Sequence, residues 1–330
     1  MEEAIRTFDL TKNFGDFTAV DHLNLEVRSE IFGLLGPNGA GKTTIARMLT
    51  TVLSPTAGTA RVAGADILHE SEEVRKRIGV VAQAMTLDVE LTAWENMNIY
   101  AKYYGVPSDI RRKRIQQLLD VVGLSERADF TVGSYSGGMK RRLEIVRSLV
   151  HEPSILFLDE PTTGLDPQAR SAVLEYLKKI HKDEDITLLI TTHYLDEAEG
   201  LCDRIAIVDY GKLVALGSPA ELKRQVSGGD VIEADFSALP DKVVESLRSS
   251  DFVLDVSRRE NSLRILVKSG AEAVPRVVEV ANSSGGKVHS LLLREPTLDD
   301  VFLHFTGRSI REDTNIGKKR FVSSWEGMRR

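Results

Sequence analysis

The sequence predicts an α/β protein, a largely parallel sheet covered by helices, with a smaller α+β module behind it. Two observations predict the first part. The runs Ile31-Phe32-Gly33-Leu34-Leu35, Ile155-Leu156-Phe157-Leu158 and Ile186-Thr187-Leu188-Leu189-Ile190-Thr191-Thr192 are short and apolar, as strands buried on both faces must be. Ile45, Met48, Leu49, Val52 and Leu53 fall at helical spacing behind a glycine-rich turn, giving the strand–turn–helix alternation of a parallel sheet. A third observation predicts the module: after residue 230, strand-like and helix-like segments follow in the order βαββαβ. A chain of 330 residues, 42% hydrophobic and 28% charged, suits two domains better than one.

The first turn carries the chemistry. Residues 36–44 read Gly-Pro-Asn-Gly-Ala-Gly-Lys-Thr-Thr and fit G-x-x-x-x-G-K-[ST] at Gly36, Gly41, Lys42 and Thr43. Glycines let the backbone curl until several N–H groups point at one anion, and the new helix adds its positive end. Pro37, Asn38, Gly39, Ala40 and Thr44 complete the cradle. Lys42 can reach the β- and γ-phosphates, and the Thr43 hydroxyl can ligate Mg²⁺. A nucleoside triphosphate is the expected ligand.

The run at 155–158 ends in Asp159-Glu160-Pro161. Carboxylates at the C-terminal edge of a parallel strand stand where open α/β sheets bind ligands. Asp159 can hold Mg²⁺, and Glu160 can polarise an attacking water as a general base. An acidic pair alone could equally cap a strand; the loop at 36–44 favours the catalytic role. Between the two motifs lies Tyr135-Ser136-Gly137-Gly138-Met139-Lys140-Arg141-Arg142. Ser136 reads as an N-cap, with Leu143, Val146, Leu149 and Val150 lining the helix behind it. A capped, glycine-rich helix start is a second anion site. One protomer has no need of two such sites for one γ-phosphate, so Ser136, Gly137 and Gly138 are expected to serve a second protomer's nucleotide.

These motifs, in this order, resemble the ATP-binding cassette (ABC) ATPases over residues 4–225. The resemblance implies a cassette with a mixed sheet core, an antiparallel β subdomain and a helical subdomain, using ATP and Mg²⁺. Residues 36–44 match its phosphate loop, Gln83 its Q-loop and 135–139 its LSGGQ signature. Residues 155–160 match the second nucleotide motif, Gly164-Leu165-Asp166 the D-loop, and His193 the switch histidine. Two positions depart from the pattern: Tyr135 replaces the leading Leu, and Met139 the final Gln. Ser136, Gly137 and Gly138 remain, so activity is expected to survive. By resemblance Gln83 joins Thr43 and Asp159 around Mg²⁺ and links it to the helical subdomain, and His193 hydrogen-bonds the γ-phosphate. Either residue could otherwise be a polar group ending a strand. Phe14, in the polar turn Asn13-Phe14-Gly15-Asp16, stands where the family places a ring against adenine; the same ring could cover a core edge.

Within the family the chain looks most like the ATPase subunits of prokaryotic ABC-2-type exporters, the daunorubicin/multidrug resistance group. The signature YSGGM followed by basic residues, the string from Glu160 to Pro167, and Arg294-Glu295-Pro296-Thr297-Leu298-Asp299-Asp300-Val301-Phe302 carry that likeness. It implies a separate integral membrane permease as partner, a second copy of the chain in an ATP-sandwich dimer, and a place at the cytoplasmic face of the membrane. The alternative is a soluble ABC ATPase of translation or DNA repair. That class usually carries two cassettes or a long insertion, and this chain has one compact cassette. An importer subunit is a third possibility, against which the terminal segment speaks.

The remaining segments set the domain plan: cassette 1–227, accessory α+β domain 228–306 and basic tail 307–330. Trp94, Met97, Tyr100, Ala101 and Tyr104 share one helical face, and Ile115, Leu118, Leu119 and Val122 another, giving a helical subdomain at about 84–150. The cluster Arg111-Arg112-Lys113-Arg114 reads as a solvated face. The cassette closes near Gly217-Ser218-Pro219 with a last helix through Val226, and Ser227-Gly228-Gly229 reads as a linker. The module behind it suggests a ferredoxin-like fold without catalytic residues, ending in a helix bearing Val301, Phe302 and Phe305. A net charge of −6 gives no polybasic character, so no nucleic-acid partner is expected. Cys202 is the only cysteine, which excludes a disulfide within the chain. The start Met1-Glu2-Glu3-Ala4 has no basic, apolar signal pattern, and no apolar run reaches the roughly 18 residues of a membrane span.

Overall fold

The structure is a computed structural model and describes residues 3–226, 230–294 and 296–307. The chain divides into two compact units, 1–218 and 219–309. The first begins with β1 (Ile5–Phe14), β2 (Phe17–Leu23), β3 (Glu26–Val27), β4 (Ile31–Leu35), α1 (Lys42–Leu49), β5 (Ala57–Val62), β6 (Ala65–Asp66), α2 (Ser71–Arg77) and β7 (Ile78–Val81). It continues with α3 (Ala93–Tyr103), α4 (Ser108–Val121), α5 (Gly137–Arg147), β8 (Ile155–Asp159), α6 (Pro167–Glu184), β9 (Thr187–Thr192), α7 (Leu195–Leu201), β10 (Arg204–Asp209) and β11 (Lys212–Gly217).

Its main sheet has the order β11-β10-β4-β9-β8-β7. The pairs from β10 to β7 are parallel, and β11 adds an antiparallel edge. β4 and β9 are buried at every residue, which is why their sequences show apolar runs and no alternation. A second, antiparallel sheet runs β2-β1-β5-β6, with β3 paired to β1. The buried cluster lies between the two sheets around α1. Ile5, Leu10 and Val20 meet Ile45, Met48 and Leu49, which meet Phe32, Phe157 and Leu189. The expected mixed core, antiparallel subdomain and helical subdomain are therefore all present.

The helical subdomain is α3 to α5, inserted between β7 and β8. Thr92 caps α3 in a reciprocal capping box with Glu95, and Ser136 caps α5 by accepting from Met139 N. The aromatic stripe has specific partners. The Tyr104 ring stacks on His151 at 3.8 Å, and Arg147 lies over Tyr100 at 4.9 Å. The basic cluster at 111–114 is only partly solvated. Arg112 and Lys113 are exposed, but Arg114 is 12% exposed and pairs with Glu184 at 2.6 Å and Glu152 at 3.8 Å. That guanidinium meets carboxylates at the end of α6 and just before β8, which helical spacing alone does not reveal.

The second unit comprises α8 (Pro219–Val226), β12 (Asp230–Ala238), α9 (Asp241–Arg248), β13 (Val253–Arg259), β14 (Ser262–Val267), α10 (Gly270–Ser283), β15 (Lys287–Arg294) and α11 (Leu298–Thr306). Its sheet, β13-β14-β12-β15, is antiparallel throughout. That is the strand order of a ferredoxin-like βαββαβ fold. Ile232, Val243, Leu247, Ile265 and Val277 form its core beneath α9 and α10. The division falls between Ser218 and Pro219, nine residues before the expected boundary after 227. α8 packs against α11 inside the second unit, with Leu222, Val301 and Phe302 fully buried. The last helix expected for the cassette thus belongs to the module. The linker 227–229 and the tail from 308 lie outside the described residues.

Candidate nucleotide site

The loop at 36–44 joins the buried end of β4 to the first turn of α1. Gly36 is obligatory there: a Cβ would stand 2.2 Å from Val208 O. Gly41, at φ 107°, opens α1 in a conformation open to few side chains and lies 2.5 Å from Ala19 O by the same test. Lys42 is 4% exposed, and its Nζ donates to Gly36 O at 2.7 Å and Pro37 O at 3.0 Å. Its ammonium therefore sits inside the curl of its own loop. Burial pushes the Lys42 pKa down to about 8, although the carboxylates of Glu160 and Asp159 oppose that shift.

β8 and β9 bring the acidic pair to the same edge. Thr43 Oγ1 donates to Asp159 Oδ1 at 3.2 Å, and Thr191 Oγ1 donates to the same oxygen. Glu160 has φ 46°, a left-handed conformation unusual for a residue with a side chain. Its N–H is held by Thr191 O and Oγ1, both at 3.1 Å. Three groups surround its carboxylate: Gln83 Nε2 at 3.0 Å, Thr163 Oγ1 at 3.1 Å and His193 Nδ1 at 3.1 Å. The hydrogen bond from His193 leads the interactions that hold the Glu160 carboxyl below the usual range, and burial opposes them. Glu160, Gln83 and His193, far apart in sequence, thus converge on one another, and Asp159 meets Thr43.

Thr43 and Asp159 supply oxygen donors next to a phosphate cradle, the chemistry a hard cation such as Mg²⁺ selects. Among the described residues no group of three or more His, Cys, Asp or Glu is arranged for a metal. Mg²⁺ shared with phosphates needs no such cage, because one carboxylate, a hydroxyl and phosphate oxygens suffice.

Two sequence-predicted groups stand apart. Phe14 is half exposed at the tip of the β1–β2 hairpin, paired with exposed Phe17 and with Lys12 Nζ 5.3 Å from its ring centre. It offers a flat apolar face to the solvent rather than covering a core edge. Ser136 and Gly137 are exposed at the start of α5, and among the described residues no hydrogen bond joins either to the loop at 36–44. Sequence reasoning missed Thr191 and Thr163, which orient the acidic pair. It also missed Glu197, which accepts from Thr162 Oγ1 at 2.7 Å just beyond the switch position, with burial raising its pKa. Thr191 had a signal, since it ends a strand at the phosphate edge. Glu197 had none.

A family model described as ABC transporter matches residues 20–163. The chain is also 40% identical over 316 residues to the daunorubicin resistance ATP-binding protein DrrA3 of Streptomyces coeruleorubidus, covering 94% of this chain and 99% of that one. The chain belongs to the ABC transporter ATP-binding family. It is an ATP-binding and ATP-hydrolysing subunit of the kind coupled to a membrane permease. The second unit of this ABC subunit matches the model of the ATP-binding protein DrrA1-3-like C-terminal domain over residues 217–306. The Nod factor export ATP-binding protein I of Ralstonia nicotianae is 41% identical to it, over 92% of this chain and 94% of that one. A solved structure, the dimeric post-hydrolysis state of the ATP-binding cassette MJ0796 bound to ADP and Pi, is similar at 26% identity and TM-score 0.58, over 65% of this chain and 98% of that one.

The buried lysine of the ABC subunit gives a pH prediction. Phosphates bound beside Lys42 would favour its charged form, so a nucleotide complex would keep a proton that the free protein loses near pH 8. Above that pH, ATP binding takes up a proton, and affinity is expected to fall by up to about tenfold per pH unit. Titration calorimetry at neutral and alkaline pH measures this. Lys42→Ala should bind weakly and show a flat profile; a flat profile in the unaltered protein rejects the shift.

Proposed function

We propose that the chain is the ATPase subunit of an ABC-2-type exporter, acting at the cytoplasmic face of the cell membrane on a separate integral membrane permease. The observation that carries this is the second unit, a ferredoxin-like module matched over 217–306 by the C-terminal domain of DrrA-type proteins. The relatives named for daunorubicin resistance and Nod factor export match over more than nine-tenths of this chain. Drugs, lipids or other hydrophobic or polymeric molecules are the substrate class this favours, and the permease would select among them. Among the described residues no helix is long and apolar enough to cross a membrane.

In this proposal the chain binds ATP with its triphosphate on the loop at 36–44 and its base against Phe14. Lys42 turns from Gly36 O and Pro37 O to the β- and γ-phosphates. Thr43, Asp159 and Gln83 would hold Mg²⁺, which would supply neutralisation of phosphate charge. Glu160 orients a water and accepts its proton as the oxygen bonds to the γ-phosphorus. The bond from that phosphorus to the β–γ bridging oxygen breaks, leaving ADP and phosphate. His193 keeps Glu160 ionised and hydrogen-bonds the γ-phosphate. Ser136, Gly137 and Gly138 of a second copy close the site.

Affinity purification of the full-length chain from detergent-solubilised membranes tests the assignment. Recovery of an integral membrane protein, with ATPase activity that responds to reconstitution with it, is the expected result. Recovery only from the soluble fraction, with ribosomes or DNA, would overturn it.

A further inference from the structure

A fully bonded charged side chain of the cassette belongs to a residue given no role above. Arg141, about one turn into α5, is 5% exposed, and each of its five N–H donors has a partner. Nε donates to Pro161 O at 2.7 Å. Nη1 donates to Ala82 O and to Glu144 Oε2, both at 2.8 Å. Nη2 donates to Asp159 O at 3.2 Å and Glu160 O at 3.4 Å. Four of the five acceptors are thus main-chain carbonyls. Three belong to consecutive residues centred on Glu160, and the fourth belongs to the residue before Gln83.

Its partner completes the connection. Glu144 is 1% exposed, and its other oxygen accepts from both N and Oγ1 of Thr86 at 2.8 Å. Arg147, one turn further, donates to Thr86 O at 3.0 Å. Positions 141, 144 and 147 lie on one face of α5. That face holds both ends of the 82–86 loop and the turn carrying the acidic pair, and the same helix is capped by Ser136. A buried ion pair is weak evidence for stability, because apolar residues of like volume often serve as well. Bonding aimed at the backbone on either side of a left-handed Glu160 is what positioning requires.

We propose that Arg141, braced by Glu144, is a positioning residue that locks Glu160 and the Gln83 loop to helix α5. The proposal rests on Glu160 orienting the attacking water. Arg141 touches no nucleotide atom; it acts through the backbone of Glu160. Without it, the turn relaxes and the carboxylate loses register with the γ-phosphate.

The test is a double-mutant cycle in the full-length chain, read as kcat, KM, ATP affinity and melting temperature. Arg141→Met with Glu144→Gln removes the clamp and one charge of each sign, leaving Arg147 over Tyr100 and bonded to Thr86 O. It is expected to lower kcat by about 10²-fold, the cost of misplacement by about 1 Å, with ATP affinity held within about threefold. Arg141→Lys keeps a charge opposite Glu144, should recover part of that loss, and carries the same test if the double substitution folds poorly. In a Glu160→Gln background neither change should lower kcat further by more than about twofold, because both act on one step. A loss that adds in full to that of Glu160→Gln, one confined to KM and ATP affinity, or turnover unchanged without Arg141 would overturn the proposal. Near-normal turnover of Glu160→Gln alone would instead overturn the role of Glu160 on which it rests.

Discussion

Glu160→Gln is expected to slow ATP hydrolysis by roughly 10²–10⁴-fold while ATP still binds, the range for a lost general base. The substitution preserves shape. Gln83 and Thr163 donate to one oxygen of the carboxylate, and an amide oxygen can accept both bonds. What disappears is the acceptor for the water's proton. Lys42, Thr43 and the loop amides are untouched, so nucleotide affinity should stay within a few-fold of normal, about 1 kcal/mol. The pH profile gives an independent reading. Interactions led by the His193 hydrogen bond hold the Glu160 carboxyl below its ordinary range, so the base is ionised above that lowered pKa and is lost as pH falls through it. The acid limb of kcat should therefore lie below the usual carboxylate range, and His193→Ala should move it upward. Stopped assays of phosphate release, paired with equilibrium nucleotide binding, measure both. Turnover close to normal in Glu160→Gln would remove the residue from the mechanism.

How much of this was legible in the sequence follows from burial. β4, β8 and β9 are buried on both faces, so their apolar runs stood out, and the loop and acidic pair attached to them could be placed at one sheet edge. The module was equally readable. β12, α9, β13, β14, α10 and β15 each fall within a few residues of expectation, and β14 alternates at a clean period of two. The antiparallel sheet was known only through family resemblance. β1 breaks its alternation at two register shifts against β2, so no clean period of two survives. The boundary at 218 was missed because Leu222 in α8 finds its partners in α11, some eighty positions on, and local spacing carries no trace of that. Arg141 was hidden for a related reason. It sat in a run of basic residues behind the signature, and charge runs usually face water. Four of its five acceptors are backbone carbonyls, which have no sequence signature at all.

Ser136→Arg is expected to abolish ATP-dependent dimerisation and with it most hydrolysis, leaving the protomer folded. The geometry within one chain motivates this. Ser136 is exposed, its hydroxyl turns to Met139 N of its own helix, and no hydrogen bond among the described residues joins it to the loop at 36–44. A glycine-rich helix start facing solvent is an anion site without an anion from its own protomer. In the proposed function the loop at 36–44 would cradle the phosphates from one side only. A second copy placed head to tail satisfies both, with two nucleotides held between signature and loop. In Glu160→Gln, where hydrolysis no longer releases the closed state, ATP and Mg²⁺ should shift sedimentation from monomer to dimer. Adding Ser136→Arg puts a long side chain over the amides of Gly137 and Gly138. The dimer should weaken by at least about 10²-fold, or roughly 3 kcal/mol. Loss of the cap itself costs only about 1 kcal/mol locally, which the melting temperature will register separately. ATP binding to each protomer should persist, since Phe14 and the loop at 36–44 are intact. A Ser136→Arg protein that still dimerises with ATP, or a monomer that hydrolyses ATP at full rate, would show that the signature serves no nucleotide across the interface.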